Sequence, residues 1–447
     1  MKEKKKLSDG EGGTGVSRRD FLKGGALMGT AAALGTGAGL TILSPKWSFG
    51  AEKREGPIRI GLLPPLTGLC SVYGEECAHA GELTVDMINE EGGVLGRKVE
   101  LVIQDDGTIP ETAVPAAERL VKKFGCAMIC GNMWSNSRLA VSTQVAEPHK
   151  VVMNNFSYDE GAICGRYYFQ MNAVPNQQID RMVPWMVKKY GKRWYFIGGN
   201  YEWPRGSVAA AKEALVKAGG EVVGEEYNPV GTTDYSSIIM RIKEAKPDVL
   251  EPHEAGSDQY GFLKQFAAAG LLGKIPCVST YYDEIFAQSL EASVREGFYA
   301  CNSYFMVVPT KENGVFLARL RKKYGEKAVL TSFSAAIISC IRIWAKAAQK
   351  AGTTHPDEVV KAQEGAPGQK YGISTVGPQG KVAVVRENHY TTQTAHLIQV
   401  QPDGSHKIIQ SWADQDPVIP KRYGGCVASV EGGCRPEKEK CPKFPGE

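Results

Sequence analysis

The chain has 447 residues, 43% hydrophobic and 23% charged, with a net charge of +4. This is the make-up of a soluble globular protein, and one too long for a single ordinary core. The charge is small, part of it sits at the extreme N-terminus, and no basic stripe with interleaved aromatics accompanies it, so no nucleic-acid partner is implied.

Lys2, Lys4, Lys5 and Lys6 precede Ser17-Arg18-Arg19-Asp20-Phe21-Leu22-Lys23, which leads into a weakly apolar run over 24–43. Paired arginines before Phe-Leu-Lys resemble a bacterial twin-arginine export signal. The resemblance implies passage through the twin-arginine translocase and a periplasmic location. The apolar run is full of Gly, Ala and Thr and makes a poor membrane span, which wants about 20 strongly apolar residues. Pro45 breaks it, and Ser48-Phe49-Gly50-Ala51 reads as the cleavage region. No cysteine sits there, so no lipoprotein anchor is expected. Removing residues 1–51 leaves about 395, enough for two domains.

After the charged linker 52–55, residues 57–62 read as a short buried strand and 64–68 as a turn-rich loop. Helical spacing over 74–89 ends at Glu90-Glu91-Gly92-Gly93, as glycine ends helices. A strand at 98–104, a helix at 113–123, a strand at 127–130, a helix at 137–147 and a strand at 151–154 follow. The alternation continues through helix 177–189, strand 194–198, helix 207–218, strand 221–227 and a helix from about 234 to 245. Strand 248–252, helix 259–269 and strand 275–279 complete it. Units of this length predict an α/β fold of doubly wound parallel sheets, in two lobes divided near residue 175. Beyond 298 the pattern changes to a strand at 298–302, helices at 314–324 and 332–350, and short strands. Gln401-Pro402-Asp403-Gly404 signals a hairpin between 394–400 and 406–412.

Catalytic signatures are missing. The sequence has no G-x-S-x-G elbow, no P-loop and no H-E-x-x-H. The tightest glycine cluster, Gly35-Thr36-Gly37-Ala38-Gly39, belongs to the export signal. His149, His253 and His389 read as surface or packing residues. No cofactor and no metal site is expected, and the protein does not read as an enzyme. The eleven cysteines include Cys126 and Cys130, which an extended strand holds about 13 Å apart, too far for a bridge. Cys426, Cys434 and Cys441, in a Pro- and Lys-rich tail over 421–447, suggest a disulfide staple in an oxidising compartment.

Ile60-Gly61-Leu62-Leu63-Pro64-Pro65-Leu66-Thr67-Gly68, Tyr73-Gly74 and Asn89-Glu90-Glu91-Gly92-Gly93-Val94-Leu95-Gly96-Arg97 resemble the opening of the periplasmic leucine/isoleucine/valine-binding family, which serves ABC importers. Pro175-Asn176-Gln177-Gln178-Ile179, Asn200-Tyr201-Glu202-Trp203-Pro204-Arg205, the run 219–227, the run 242–248 and Glu387-Asn388-His389 are similar to its urea- and short-chain-amide-binding branch. The resemblance implies a type I periplasmic-binding-protein fold with three hinge crossings. Lobe 1 would combine 57–174 with 305–375, and lobe 2 would combine 175–304 with 376–420. A small-molecule ligand in the cleft and an ABC permease as partner are implied with it. A ligand sensor of the same fold is the alternative from another class, and an exported enzyme a further one.

Loops at the carboxyl ends of the strands supply the candidate ligand-binding residues. Ser135 and Asn136 precede a helix, where hydroxyl, amide and N–H groups hold an oxygen; plain N-capping is the alternative. Asn155, Phe156, Ser157 and Tyr158 end the next strand. The resemblance makes Tyr73 an aromatic lid. Tyr201 and Trp203 offer ring faces from the loop after 194–198. Glu254, with Ser257 beside it, and Tyr281, Tyr282 and Asp283 follow the next two strands. Glu254 or Asp283 would supply an anion for a ligand ammonium.

Overall fold

The computed structural model describes residues 56–290, 297–430, 432–436 and 438–439. Arg18, Arg19, the cleavage region, the 52–55 linker and Cys441 lie outside the described residues.

The first sheet is built from short apolar runs, buried on both faces in its third, fourth and fifth strands and part-exposed at the Val99–Ile103 edge. Strands β1 (Ile58–Leu62), β2 (Val99–Ile103), β3 (Met128–Cys130), β4 (Val152–Asn155) and β5 (Tyr168–Gln170) lie in the order β2-β1-β3-β4-β5, all parallel. Helices α1 (Gly74–Glu90), α2 (Pro110–Glu118) and α3 (Ser135–Val141) connect the first four strands. The last two continue as π-helical turns, Arg119–Lys123 and Ser142–Ala146.

The chain then passes through α4 (Pro175–Tyr190) into a second sheet. Strands β6 (Arg193–Gly199), β7 (Glu221–Asn228) and β8 (Val249–His253) pair in parallel in the order β7-β6-β8. Helices α5 (Glu202–Lys217), α6 (Ser236–Ala245) and α7 (Gly256–Ala268) link them to β9 (Val278–Ser279). A parallel bridge from Leu250 to Cys277 ties β8 to the approach to β9. Past α8 (Glu284–Ser289), strand β10 (Tyr299–Asn302) pairs parallel with β9.

Helices α9 (Lys311–Tyr324), α10 (Ser332–Ala351) and α11 (Pro356–Glu364) return toward the first sheet, where α9 and α10 pack on α1. The α10 sequence explains its burial. Phe333, Ala336, Ile337, Cys340, Ile341, Trp344, Ala347 and Ala348 recur at three- and four-residue steps and are all buried. Thr331 caps its start by accepting from the Phe333 N–H, and Gly352 ends it at φ +69°. Burying each Ile of that face is worth about 1.5–3 kcal/mol. Next come the hairpin β11 (Tyr371–Gly377) and β12 (Gly380–Val385), then the hairpin β13 (Gln393–Val400) and β14 (His406–Gln415). Strand β13 pairs antiparallel with β10, so the last hairpin completes the second sheet.

Several helix starts differ from expectation, and proline is the common reason. Helix α5 begins at Glu202 rather than 207, with Pro204 in its first turn; α4 begins at Pro175 rather than 177, and α2 at Pro110 rather than 113. The first turn has no partner for its N–H groups, so a proline there costs nothing. Cys126 and Cys130 are free and buried. The tail staple runs to the body of the protein: Cys426 is bonded to Cys164, between β4 and β5. Cys434 is disulfide-bonded as well. His149 is exposed. Buried His253 bonds Glu251 at 3.0 Å, and buried His389 bonds Glu364 at 2.8 Å.

Candidate functional site

The carboxyl ends of the strands in both sheets face a common gap. A small cavity lies there, lined by Cys70, Met133, Trp134, Ser135, Ser157, Tyr158, Tyr201, Trp203, Ala255 and Tyr281. Cys70 comes from the loop after β1; Met133, Trp134 and Ser135 follow β3; Ser157 and Tyr158 follow β4. Tyr201 and Trp203 come after β6, Ala255 after β8, and Tyr281 after β9.

Local structure fixes each wall. After β3 the chain turns at Gly131, where a Cβ would meet the Leu63 Cβ at 2.7 Å. Buried Asp106 accepts from the Met133 N–H at 3.2 Å and the Thr108 N–H at 2.8 Å, holding the loop in place. Burial pushes the Asp106 carboxyl up to about 6. Trp134 occupies the N-cap of α3 without a side-chain capping bond, and Ser135 is the first helical residue. The Ser135 hydroxyl donates to Glu160 at 3.3 Å and accepts from Arg138 at 3.5 Å. Arg138 is fully buried and pairs with Glu160 at 3.0 Å and Asp159 at 3.5 Å. This buried ion group fixes the hydroxyl without presenting a charge to the cavity. The Ser157 hydroxyl faces the Met133 sulfur at 3.4 Å, and the Tyr158 hydroxyl bonds Ser332.

The opposite wall is aromatic. Tyr201 stacks on Trp134 with centroids 3.9 Å apart and planes at 21°, joining a loop of the first sheet to one of the second. Trp203 sits 6.4 Å from Tyr201, 5.3 Å from Tyr281 and edge-on to His253 at 5.5 Å. The Tyr281 hydroxyl lies 3.7 Å from the Cys70 sulfur, a second link across the gap. Burial pushes the Cys70 thiol up to about 12, so every lining side chain is uncharged at neutral pH.

Of the residues expected at the site, Ser135, Ser157, Tyr158, Tyr201, Trp203 and Tyr281 meet at this cavity. Five others stand behind the lining. Tyr73 is buried edge-on to Tyr281 and Phe333, with centroid distances of 5.7 and 4.9 Å. Phe156 is buried beside Ser157, and its carbonyl accepts from Asn172. The Asn155 amide is spent on the Ser157 carbonyl and Gln170. Glu254 is buried next to Ala255, and Asn228, with its amide turned to donate, reaches it at 2.6 Å. Burial pushes that carboxyl up to about 8. Asp283 caps α8 through the Ile285 N–H, and burial beside Glu284 and Glu76 raises its carboxyl well above the usual range. Asn136 is exposed and points away: one residue further along a helix is a turn of about 100°. Cys70, Met133, Trp134 and Ala255 escaped the sequence reading. Trp134 had a usable signal, an aromatic immediately before the first residue of a strand-end helix. Among the described residues, no group of His, Cys, Asp and Glu has the arrangement of a metal site.

Comparison with known proteins agrees with this layout. The family model described as "Periplasmic binding protein" matches residues 57–405, and the twin-arginine translocation signal model matches residues 15–35. The Leu/Ile/Val-binding protein BraC3 of Rhizobium johnstonii is 31% identical over 45% of this chain and 55% of its own length. Leu/Ile/Val-binding protein homolog 7 of Brucella melitensis is 27% identical over 62% of this chain and 73% of its own. The chain thus spans little more than half the length of the first of these relatives. Among solved structures, an amino acid ABC transporter substrate-binding protein from Pseudomonas fluorescens superposes with a TM-score of 0.71 at 22% identity, over 81% of this chain and 97% of that one. A solute-binding protein from Rhodopseudomonas palustris in complex with p-hydroxybenzoic acid gives 0.72 at 22%, over 80% and 98%. At such identities the superpositions establish the fold, that of type I periplasmic binding proteins. With the family match running through both sheets and an export signal ahead of it, the chain belongs to the periplasmic binding protein family and works in the periplasm.

Proposed function

We propose that this protein captures a small, uncharged polar solute of the urea or short-amide class between its two halves and delivers it to the permease of an ABC importer. The observation that carries this reading is the character of the cavity: two serine hydroxyls and three tyrosines among aromatic faces, and no charged side chain in the lining. An amide group, which both donates and accepts, suits such hydroxyls, while planar faces suit stacking on indole and phenol rings.

In this reading the halves are lobes, 57–174 with 305–375 and 175–304 with 376–420, that close on the solute through hinge motion. A second reading, a branched-chain or other amino acid, is favoured by the names of the curated relatives. It asks more of the site, because Glu254 and Asp283 stand behind the lining and burial holds both toward the neutral acid. A thermal-shift screen with urea, formamide, acetamide and L-leucine separates the two. A solute binding the native state at 100 times its Kd adds about 2.7 kcal/mol of stability. A melting point raised by an amide or urea supports the proposal. One raised by leucine and by none of the amides overturns it.

A further inference from the structure

The chain after β14, outside the span of the family match, touches both walls of the cavity from behind. On one side it is anchored to the loop between β4 and β5. Cys426 is bonded to Cys164 there. Pro420 presses on Gly161, where a Cβ would meet the proline Cδ at 2.6 Å and φ is +91°. Arg435 donates to the carbonyls of Tyr423 at 2.9 Å and Gly425 at 2.8 Å, and also to that of Ala162 in the same loop. On the other side the Tyr423 hydroxyl donates to Glu202 at 2.6 Å, and Arg422 reaches the Arg205 carbonyl at 3.4 Å. Glu202–Arg205 form the first turn of α5, which carries Trp203. At Gly206 a Cβ would lie 2.8 Å from the Glu160 Cβ and 3.2 Å from the Tyr423 hydroxyl. Side chains of the loop and the tail therefore crowd the helix backbone there.

We infer that residues 419–426 are a strap that holds α5 against the β4–β5 loop and so positions the facing walls of the binding cavity. One wall is reached through Glu160, which holds Ser135, and the other through Glu202, which neighbours Tyr201 and Trp203. The inference rests on the proposed function for the meaning of the cavity. Tyr423 and Arg422 line nothing themselves and act as positioning residues. The disulfide keeps Tyr423 close to Glu202, so their charge-assisted bond forms at high effective concentration. That bond joins elements that must part for a solute to enter. It therefore favours the closed arrangement over an open one and slows release.

Hydrogen exchange on the mature protein without added solute tests the strap. Tyr423→Phe removes the hydroxyl and keeps the ring; Cys164→Ser with Cys426→Ser frees the tail. Both should speed exchange about tenfold in peptides covering 199–206 and 157–165 while leaving α10 unchanged. Glu202→Gln, which keeps an acceptor for Tyr423 but not its charge, should speed exchange less than Tyr423→Phe does. Unchanged exchange in both peptides for Tyr423→Phe overturns the strap, and so does acceleration spread equally into α10. If the double-serine protein does not fold, Tyr423→Phe decides alone. Urea, acetamide and L-leucine titrations add a second reading: whichever binds should bind Tyr423→Phe about 5- to 10-fold more weakly. If none binds, the proposed solute class fails while exchange still decides the strap.

Discussion

Tyr201→Ala separates a cavity wall from mere packing. The ring lies 3.9 Å from Trp134, nearly parallel to it, and the two come from different sheets. Such a pair is worth about 0.5–1.5 kcal/mol beyond the area it buries. Covering roughly 60 Å² of ring adds about 1.5 kcal/mol. Both terms exist chiefly when the halves are together, so about 2–3 kcal/mol comes out of the solute-bound state, or about 30- to 150-fold in affinity. Folding should suffer little, because Tyr201 is partly exposed and makes no side-chain cap on α5. Calorimetry with the solute that wins the thermal screen, alongside a melt, gives both numbers. Tyr201→Phe keeps the stack and should bind within threefold of the parent. If Tyr201→Ala also binds within threefold, or loses affinity only in proportion to lost stability, the reasoning fails.

Other consequences are equally open to measurement. Arg138→Met leaves Asp159 and Glu160 buried without their cation and should cost about 3–5 kcal/mol in urea unfolding; a loss under about 1 kcal/mol would show the ion group to be dispensable. Burial raises Glu254 from 4.5 to about 8. The native state therefore holds a proton that the unfolded chain has released. Glu254 thus withdraws stability as pH climbs from about 4.5 to 8, by at most about 1.4 kcal/mol per unit. Glu254→Gln should melt higher than the parent at pH 7.5 and no higher at pH 4.5, and a constant difference between the two would refute that role. Replacing both Arg18 and Arg19 with Lys should leave the precursor inside the cell in a fractionation assay; normal arrival in the periplasm would mean another export route.

Much of the scaffold was legible because buried parallel strands write themselves as short apolar runs, and those at 57–62, 127–130 and 248–252 needed nothing more. The candidate site was legible to the level of the strand end and no finer. Ser135 and Asn136 looked interchangeable ahead of a helix expected from 137, yet the helix begins at Ser135, turning one inward and the other to solvent. Trp203 read as a loop residue because Pro204 disguised the first turn of α5. Glu254 and Asp283 looked like charges for a ligand, but their backbones place them one layer behind Ala255 and Tyr281, where burial favours the neutral acid. Trp134 and Cys70 face the gap because of contacts made across it, to Tyr201 and Tyr281. Such contacts link residues 67 and 211 positions apart, and nothing local in the chain announces them.

A crystal structure of the mature protein with the solute selected by the thermal screen tests the central claim most directly. One small molecule should touch Ser135 or Ser157 on one side and Tyr201, Trp203 or Tyr281 on the other. A solute held elsewhere, or against residues of one sheet alone, would contradict it.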